Sequence, residues 1–172
     1  MEVFRGPRVV LALGSNLGDR LHNLQGALDA LFDTDGLAFA AVSPVYETAP
    51  VGGPEQPDYL NAVVIATSWL PARVILERCQ AAETAFHRIR EEVWGPRTLD
   101  VDLIVYGDEV SDDPELTIPH PRAHERAFVL APWLDTDPDA VIPGKGRVGA
   151  LLKAVGRAGC RRLDDCVLQP PV

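Results

Sequence analysis

The sequence predicts an α+β fold, a ferredoxin-like βαββαβ antiparallel sheet with helices packed on it and short helices added toward the C-terminus. Three observations carry that expectation. Short apolar runs rich in branched residues read as strands, and apolar residues between them repeat at helical spacing. The two kinds of segment follow one another as strand, helix, strand, strand, helix, strand. At 172 residues, the chain has room for a single domain, residues 1–172, with a real core, and none for two ordinary ones.

Arg8 to Gly14, RVVLALG, is a branched apolar run closed by glycine and reads as a central strand. Leu17, Leu21, Leu24, Leu28 and Leu31 then recur at helical spacing, so LGDRLHNLQGALDALF predicts an amphipathic helix with leucines toward the core. Ala38 to Tyr46 reads as the second strand and Tyr59 to Trp69 as the third. The intervening ETAPVGGPEQPD holds three prolines and two glycines, which forbid regular structure. Pro71 suits a first helical turn, and Ile75, Cys79, Ala82 and Phe86 repeat at i, i+4, i+7 and i+11 to give the second helix. Thr98 to Tyr106 is the fourth strand, and helices are expected to cover one face of the sheet. HERAFVLAPWL and GRVGALLKAVGRAG supply two further short helices, and the tail after Gly159 is expected to be loosely held.

Apolar residues make up 47% and charged residues 24% of the chain, a composition that suggests neither disorder nor a fibrous class. The formal charge of −9 argues against a broad nucleic-acid surface, because phosphates would be repelled. Any phosphate must then be met locally, by a few arginines or a metal. No apolar run approaches a membrane span, and the N-terminal stretch lacks a signal peptide's cleavage pattern, so a cytoplasmic protein with no membrane partner is expected. Cys79, Cys160 and Cys166 are odd in number and lack metal-type spacing, which argues against a disulfide framework or zinc site.

Chemistry gathers in WGPRTLDVDLIVYGD. Side chains two apart on a strand share a face, so Asp100 and Asp102 present their carboxylates together while Val101 and Leu103 point the other way. Two such charges repel one another, and a divalent cation between them removes that cost. From spacing alone, a strand with one solvent-facing side explains the pair equally well. Arg97, three residues upstream behind a Gly-Pro, tips the balance: a phosphate-binding cation beside a metal clamp is a phosphoryl-transfer layout.

Four ordered blocks, LALGSNLGDR, SPVYETAPVGGPEQPDYLNAVV, WGPRTLDVDLIVYGD and LTIPHPRAHERAFVLAPW, together resemble the 6-hydroxymethyl-7,8-dihydropterin pyrophosphokinases of folate biosynthesis. The resemblance runs from about Val9 to Leu134. It implies transfer of the β,γ-pyrophosphoryl group of ATP, as co-substrate, to the pterin hydroxymethyl with release of AMP. It further implies that Asp100 and Asp102 hold two Mg²⁺, one bridging the α- and β-phosphates and one the β- and γ-phosphates.

The same resemblance places Thr48, Pro50, Val51, Tyr59, Asn61, Trp94 and Phe128 at the pterin, with Gly14 and Asn16 on that side. An aromatic face with in-plane donors and acceptors suits a flat heterocycle. Gln80, Glu83, Arg97, Thr117, His120 and Arg126 fall near the nucleotide, with Arg122 beside them. Arg88, Arg90 and Arg97 belong to a mobile loop that closes on the phosphates, with Trp94 lidding the site. Val93 and Pro121 depart from the family pattern and bear on that loop and on the adenine contacts. LGSNLGDR precedes a helix but lacks the lysine of a Walker loop. Taken one by one, Tyr59 and Phe128 would pass for core and Gln80 and Glu83 for a solvated helix face. A non-catalytic regulatory module of the same fold and a kinase moving only the γ-phosphate are the other readings of the chain. We expect a monomer acting on small molecules, with other folate enzymes as functional neighbours.

Overall fold

The computed structural model describes residues 6–50, 52–86 and 98–171. In chain order they form β1 (Arg8–Ser15), α1 (Arg20–Leu31), β2 (Leu37–Val42), β3 (Val45–Thr48), β4 (Tyr59–Ser68) and α2 (Ala72–Ala85). Next come β5 (Asp100–Tyr106), the hairpin strands β6 (Ser111–Asp113) and β7 (Leu116–Ile118), a 3₁₀ turn (Ala123–Glu125) and α3 (Ala127–Thr136). A second short hairpin, β8 (Val141–Ile142) and β9 (Gly146–Arg147), leads to α4 (Val148–Val155) and β10 (Cys160–Leu163).

The main sheet runs in the order β10-β3-β4-β1-β5, with β2 also pairing β4, and every pairing is antiparallel. This is the ferredoxin-like arrangement, enlarged by one C-terminal edge strand. Asp19 caps α1, its carboxylate accepting from the backbone N–H of His22 at 3.2 Å. Leu24, Leu28 and Leu31 are buried from α1, and Ile75, Cys79 and Ala82 from α2, as their spacing requires. Each fully buried leucine contributes about 1.5–3 kcal/mol of transfer free energy.

Three expectations need correction. The strand anticipated over Ala38 to Tyr46 is two strands, because Pro44 has no N–H to continue a ladder. Ser43 bridges the break: its N–H donates to the Val63 carbonyl at 2.9 Å, and its Oγ accepts from the Val63 N–H at 2.8 Å.

Helices cover both faces of the sheet, not one. Val9, Leu11, Leu13, Val64 and Val101 pack with α1 and α2, whereas Val10, Val63, Ile65 and Ile104 pack with α3 and α4. The run Leu60 to Ala66 is buried without interruption, and such a strand must have both faces covered. α3 supplies the cover, since Val129, Leu130, Ala131, Pro132 and Trp133 are all buried.

The tail is likewise not loose. β10 pairs with β3, Leu168 is buried in the α1/α2 core, and Gln169 is held to α1 through both its N–H and its carbonyl by the Gln25 side chain. Arg161 from β10 meets Glu47 on β3, a cross-strand ion pair that suits this edge pairing.

Candidate active site

Strand register brings the acidic pair and the amide together. Across neighbouring strands, Asp100 lies opposite Gly14, Gly14 opposite Asn61, and Asn61 opposite Tyr46. Asp102 lies opposite Ala12 in the next row on the same face. That face belongs to α3 and α4, so both carboxylates point away from the α1/α2 core in which Val101 and Leu103 are buried.

Over the end of β1 all of these cross-strand partners but Tyr46 border a cavity of about 610 Å³. Asp100 and Asp102, both half-buried, line it from β5. Thr48, Pro50, Tyr59 and Asn61 line it from β3, the following loop and β4, and His120, Arg122, Arg126 and Phe128 from the segment leading into α3. The sequence-predicted carboxylates, five of the seven residues expected at the pterin and part of the nucleotide segment thus share one space.

Asn61 is held in a fixed orientation. Its Nδ2 donates to Thr48 Oγ1 at 2.6 Å, which turns Oδ1 toward β1. A Cβ on residue 14 would come within 2.8 Å of that Oδ1, so glycine is what lets the amide lie over β1. Thr48 is also the cross-strand partner of Tyr59 and of Cys160. Tyr46, one row further in, donates its hydroxyl to Asp135 on α3; burial first and Asp135 second push its phenol above the usual range.

His120 is anchored by its backbone N–H, which donates to the Ile104 carbonyl at 2.8 Å and so extends the edge of β5. Its Nδ1 accepts from the Arg122 N–H at 3.2 Å, which leaves the ring proton of the neutral form on Nε2. Burial, then Arg126, then Arg122 lower its pKa from 6.5 to about 4, so the ring is neutral near pH 7. The arginines carry the positive charge of this wall, and Arg126 sits 5.4 Å from the centroid of the Phe128 ring.

A group that binds its proton more weakly when folded reduces stability as pH falls through the interval between the two pKa values. For His120 that interval runs from 6.5 down to about 4. Above it the ring is neutral in both states and adds no pH dependence. We expect His120→Gln to flatten part of the acid-side loss of Tm across this interval, as measured by thermal melts of the two proteins.

Several sequence-predicted residues fall elsewhere. Gln80 is exposed on α2, and Glu83 is buried there, its Oε2 accepting from the Val101 N–H at 3.3 Å. Thr117 is exposed on β7 and donates to the Asp113 carbonyl at 3.0 Å. None of the three lines the cavity, and neither does the buried Asn16. Val51, Arg88, Arg90, Trp94 and Arg97 lie outside the described residues.

Sequence reasoning missed a whole wall. Val155, Gly156, Ala158, Gly159 and Cys160, between α4 and β10, line the cavity, as do Ala49, Gln56 and Glu125. The signal was present in Gly-Arg-Ala-Gly after the last helix: Gly156 and Gly159 take φ of +84° and +77°, the left-handed region that turns the chain back along β3.

The chain is similar to known proteins in sequence and in fold. The family model for 7,8-dihydro-6-hydroxymethylpterin-pyrophosphokinase (HPPK) matches residues 10–138. The chain is 50% identical over 151 residues to the 2-amino-4-hydroxy-6-hydroxymethyldihydropteridine pyrophosphokinase of Mycobacterium leprae, covering 81% of this chain and 77% of the relative. It is 39% identical over 156 residues to the Pseudomonas aeruginosa enzyme of the same name, covering 91% and 96%. Among solved structures, Plasmodium falciparum HPPK-DHPS with pteroate superposes with a TM-score of 0.73 at 13% identity, a likeness of fold that takes in 99% of this chain and 50% of that one. With the family model taking in most of β1, all of β2 to β5, both cavity carboxylates and the segment into α3, the chain belongs to the 7,8-dihydro-6-hydroxymethylpterin-pyrophosphokinase family.

Proposed function

We propose that the protein transfers the terminal pyrophosphoryl group of ATP to the hydroxymethyl oxygen of 6-hydroxymethyl-7,8-dihydropterin. In this reaction the alcohol oxygen bonds to the β-phosphorus, the bond from that phosphorus to the α,β-bridging oxygen breaks, AMP departs, and the hydroxyl proton is released. The observation that carries the reading is the convergence of Asp100 and Asp102 with Thr48, Tyr59 and Asn61 on one cavity.

Each residue has work that its position suits. Tyr59 and Phe128 offer aromatic surface to the pterin, and Asn61, oriented by Thr48, offers an amide to its edge. Arg122 and Arg126 supply positive charge for phosphate oxygens, while the neutral His120 offers a hydrogen bond without adding charge. To Arg88, Arg90 and Arg97 the family resemblance assigns the phosphates, and to Trp94 and Val51 the pterin. Gln80, Glu83 and Thr117 act from the periphery on the nucleotide side, Glu83 by holding the backbone between the two aspartates.

Asp100 and Asp102 also fit Mg²⁺. Both are hard oxygen donors on one strand face, and among the described residues no cluster of three or more His, Cys, Asp or Glu side chains forms a fuller cage. Magnesium commonly takes one or two carboxylates and completes its octahedron with water and phosphate oxygens. Two such ions, when bound, would supply charge stabilisation at the phosphates. No helix among the described residues is long and apolar enough to cross a membrane. The same reading takes the protein as a cytoplasmic monomer working on diffusible substrates beside other folate enzymes.

Incubation with Mg·ATP and hydroxymethyl-dihydropterin tests the reading through its products. AMP and the pterin diphosphate are expected. ADP would make the protein an ordinary kinase, and no turnover by folded protein would favour a binding module.

A further inference from the structure

Two side chains of the β1–α1 turn stand outside the cavity yet fix one of its walls. Asn16, just past β1, is 2% exposed; its Nδ2 donates to Gln56 Oε1 at 2.8 Å and to the Pro57 carbonyl at 3.0 Å. Arg20, the first residue of α1, donates from Nη1 to the Asp58 carbonyl at 2.9 Å and lies 3.1 Å from Glu47 Oε2. Three consecutive residues, Gln56, Pro57 and Asp58, are therefore gripped from one short turn. Arg161, on the other side of Glu47, holds that carboxyl below its usual range, so the bridge stays charged.

The gripped segment is the returning limb of the loop between β3 and β4. Pro50, Pro54 and Pro57 remove donors, and Gly52 and Gly53 take φ of +69° and +74°, so the loop builds no ladder of its own. Residues 52–55 are exposed, whereas Gln56, Tyr59 and, on the outgoing limb, Ala49 and Pro50 line the cavity. A loop of this composition is placed by its anchors.

We infer that Asn16 and Arg20 are positioning residues for the pterin pocket: from the β1–α1 turn they hold Gln56 to Asp58 so that the loop wall stands formed before the substrate arrives. The inference rests on the pterin reading of the cavity and goes beyond it by giving the LGSNLGDR block a task. Without the anchors, part of the pterin's binding energy would go into ordering the loop. ATP, which the same reading assigns to the Arg122 and Arg126 wall, would be indifferent.

Pterin dissociation constants and steady-state kinetics of Arg20→Met, Arg20→Lys and Asn16→Asp test this. Asn16→Asp sets a carboxylate against two acceptors. Arg20→Met removes the donor from a side chain that is 30% exposed, so folding is preserved there even if the buried variant fails. We expect pterin Kd and KM to rise on the order of ten-fold or more in both. ATP KM and kcat at saturating pterin should stay within about two-fold of wild type. Arg20→Lys, which keeps a charged donor, should recover most of the loss. Folded variants with unchanged pterin Kd, or with ATP KM moving as much as pterin KM, would overturn the inference while wild-type binding left the pocket reading intact. Wild-type protein that failed to bind hydroxymethyl-dihydropterin would remove both.

Discussion

Asp100→Ala and Asp102→Ala are each expected to fold and to lose turnover by on the order of a thousand-fold or more, the scale of removing metal-based charge stabilisation. The two carboxylates sit two residues apart on one strand face, half-buried, and both border the cavity. Adding Mg²⁺ with a non-hydrolysable nucleotide should raise the wild-type Tm and leave both variants almost unmoved, because a ligand stabilises only a state that binds it. Near-normal AMP release from either variant would defeat the assignment of these carboxylates to the metal.

Asn61→Ala should strike the other substrate. The amide is 6% exposed and is oriented by Thr48 at 2.6 Å, so a pterin edge placed against it loses its partner in a space with little water to replace it. Sites built to hydrogen-bond a substrate discriminate by large factors when one partner is missing. We expect pterin KM to rise on the order of a hundred-fold, with ATP affinity unchanged. Steady-state kinetics with each substrate varied in turn would read this. An equal rise in ATP KM would mean that Asn61 supports the cavity as a whole.

Much of this was legible in the sequence, and the reasons differ by element. Leucine spacing gave α1 and apolar spacing gave α2, because one buried stripe demands that pattern. The Asp-Val-Asp run fixed which side chains share a face, since strand alternation is geometric. The second helical layer was readable in principle, as Leu60 to Ala66 is apolar at nearly every position, but a short apolar run does not say what covers it. The wall from Val155 to Cys160 was hidden for a different reason. It is placed by pairing with β3 more than one hundred positions away in sequence, and local pattern carries no information about such a partner. Ser43–Pro44 belongs to a third kind: the proline announces a break, yet only the Ser43 hydroxyl's bond to Val63 shows how the sheet continues across it.

The pairing of Thr48 with Cys160, and of Gly14 with Asn61, builds the binding chamber from both extremities of the polypeptide. No fragment retaining only the first three strands can own a finished chamber, and peeling away the last strand would dissolve one side of it while most of the domain still stood. Substrate affinity thereby doubles as a gauge of cooperativity: amide protons at Ala49 and Cys160, both donors in this border region, should slow in hydrogen exchange together when pterin is added.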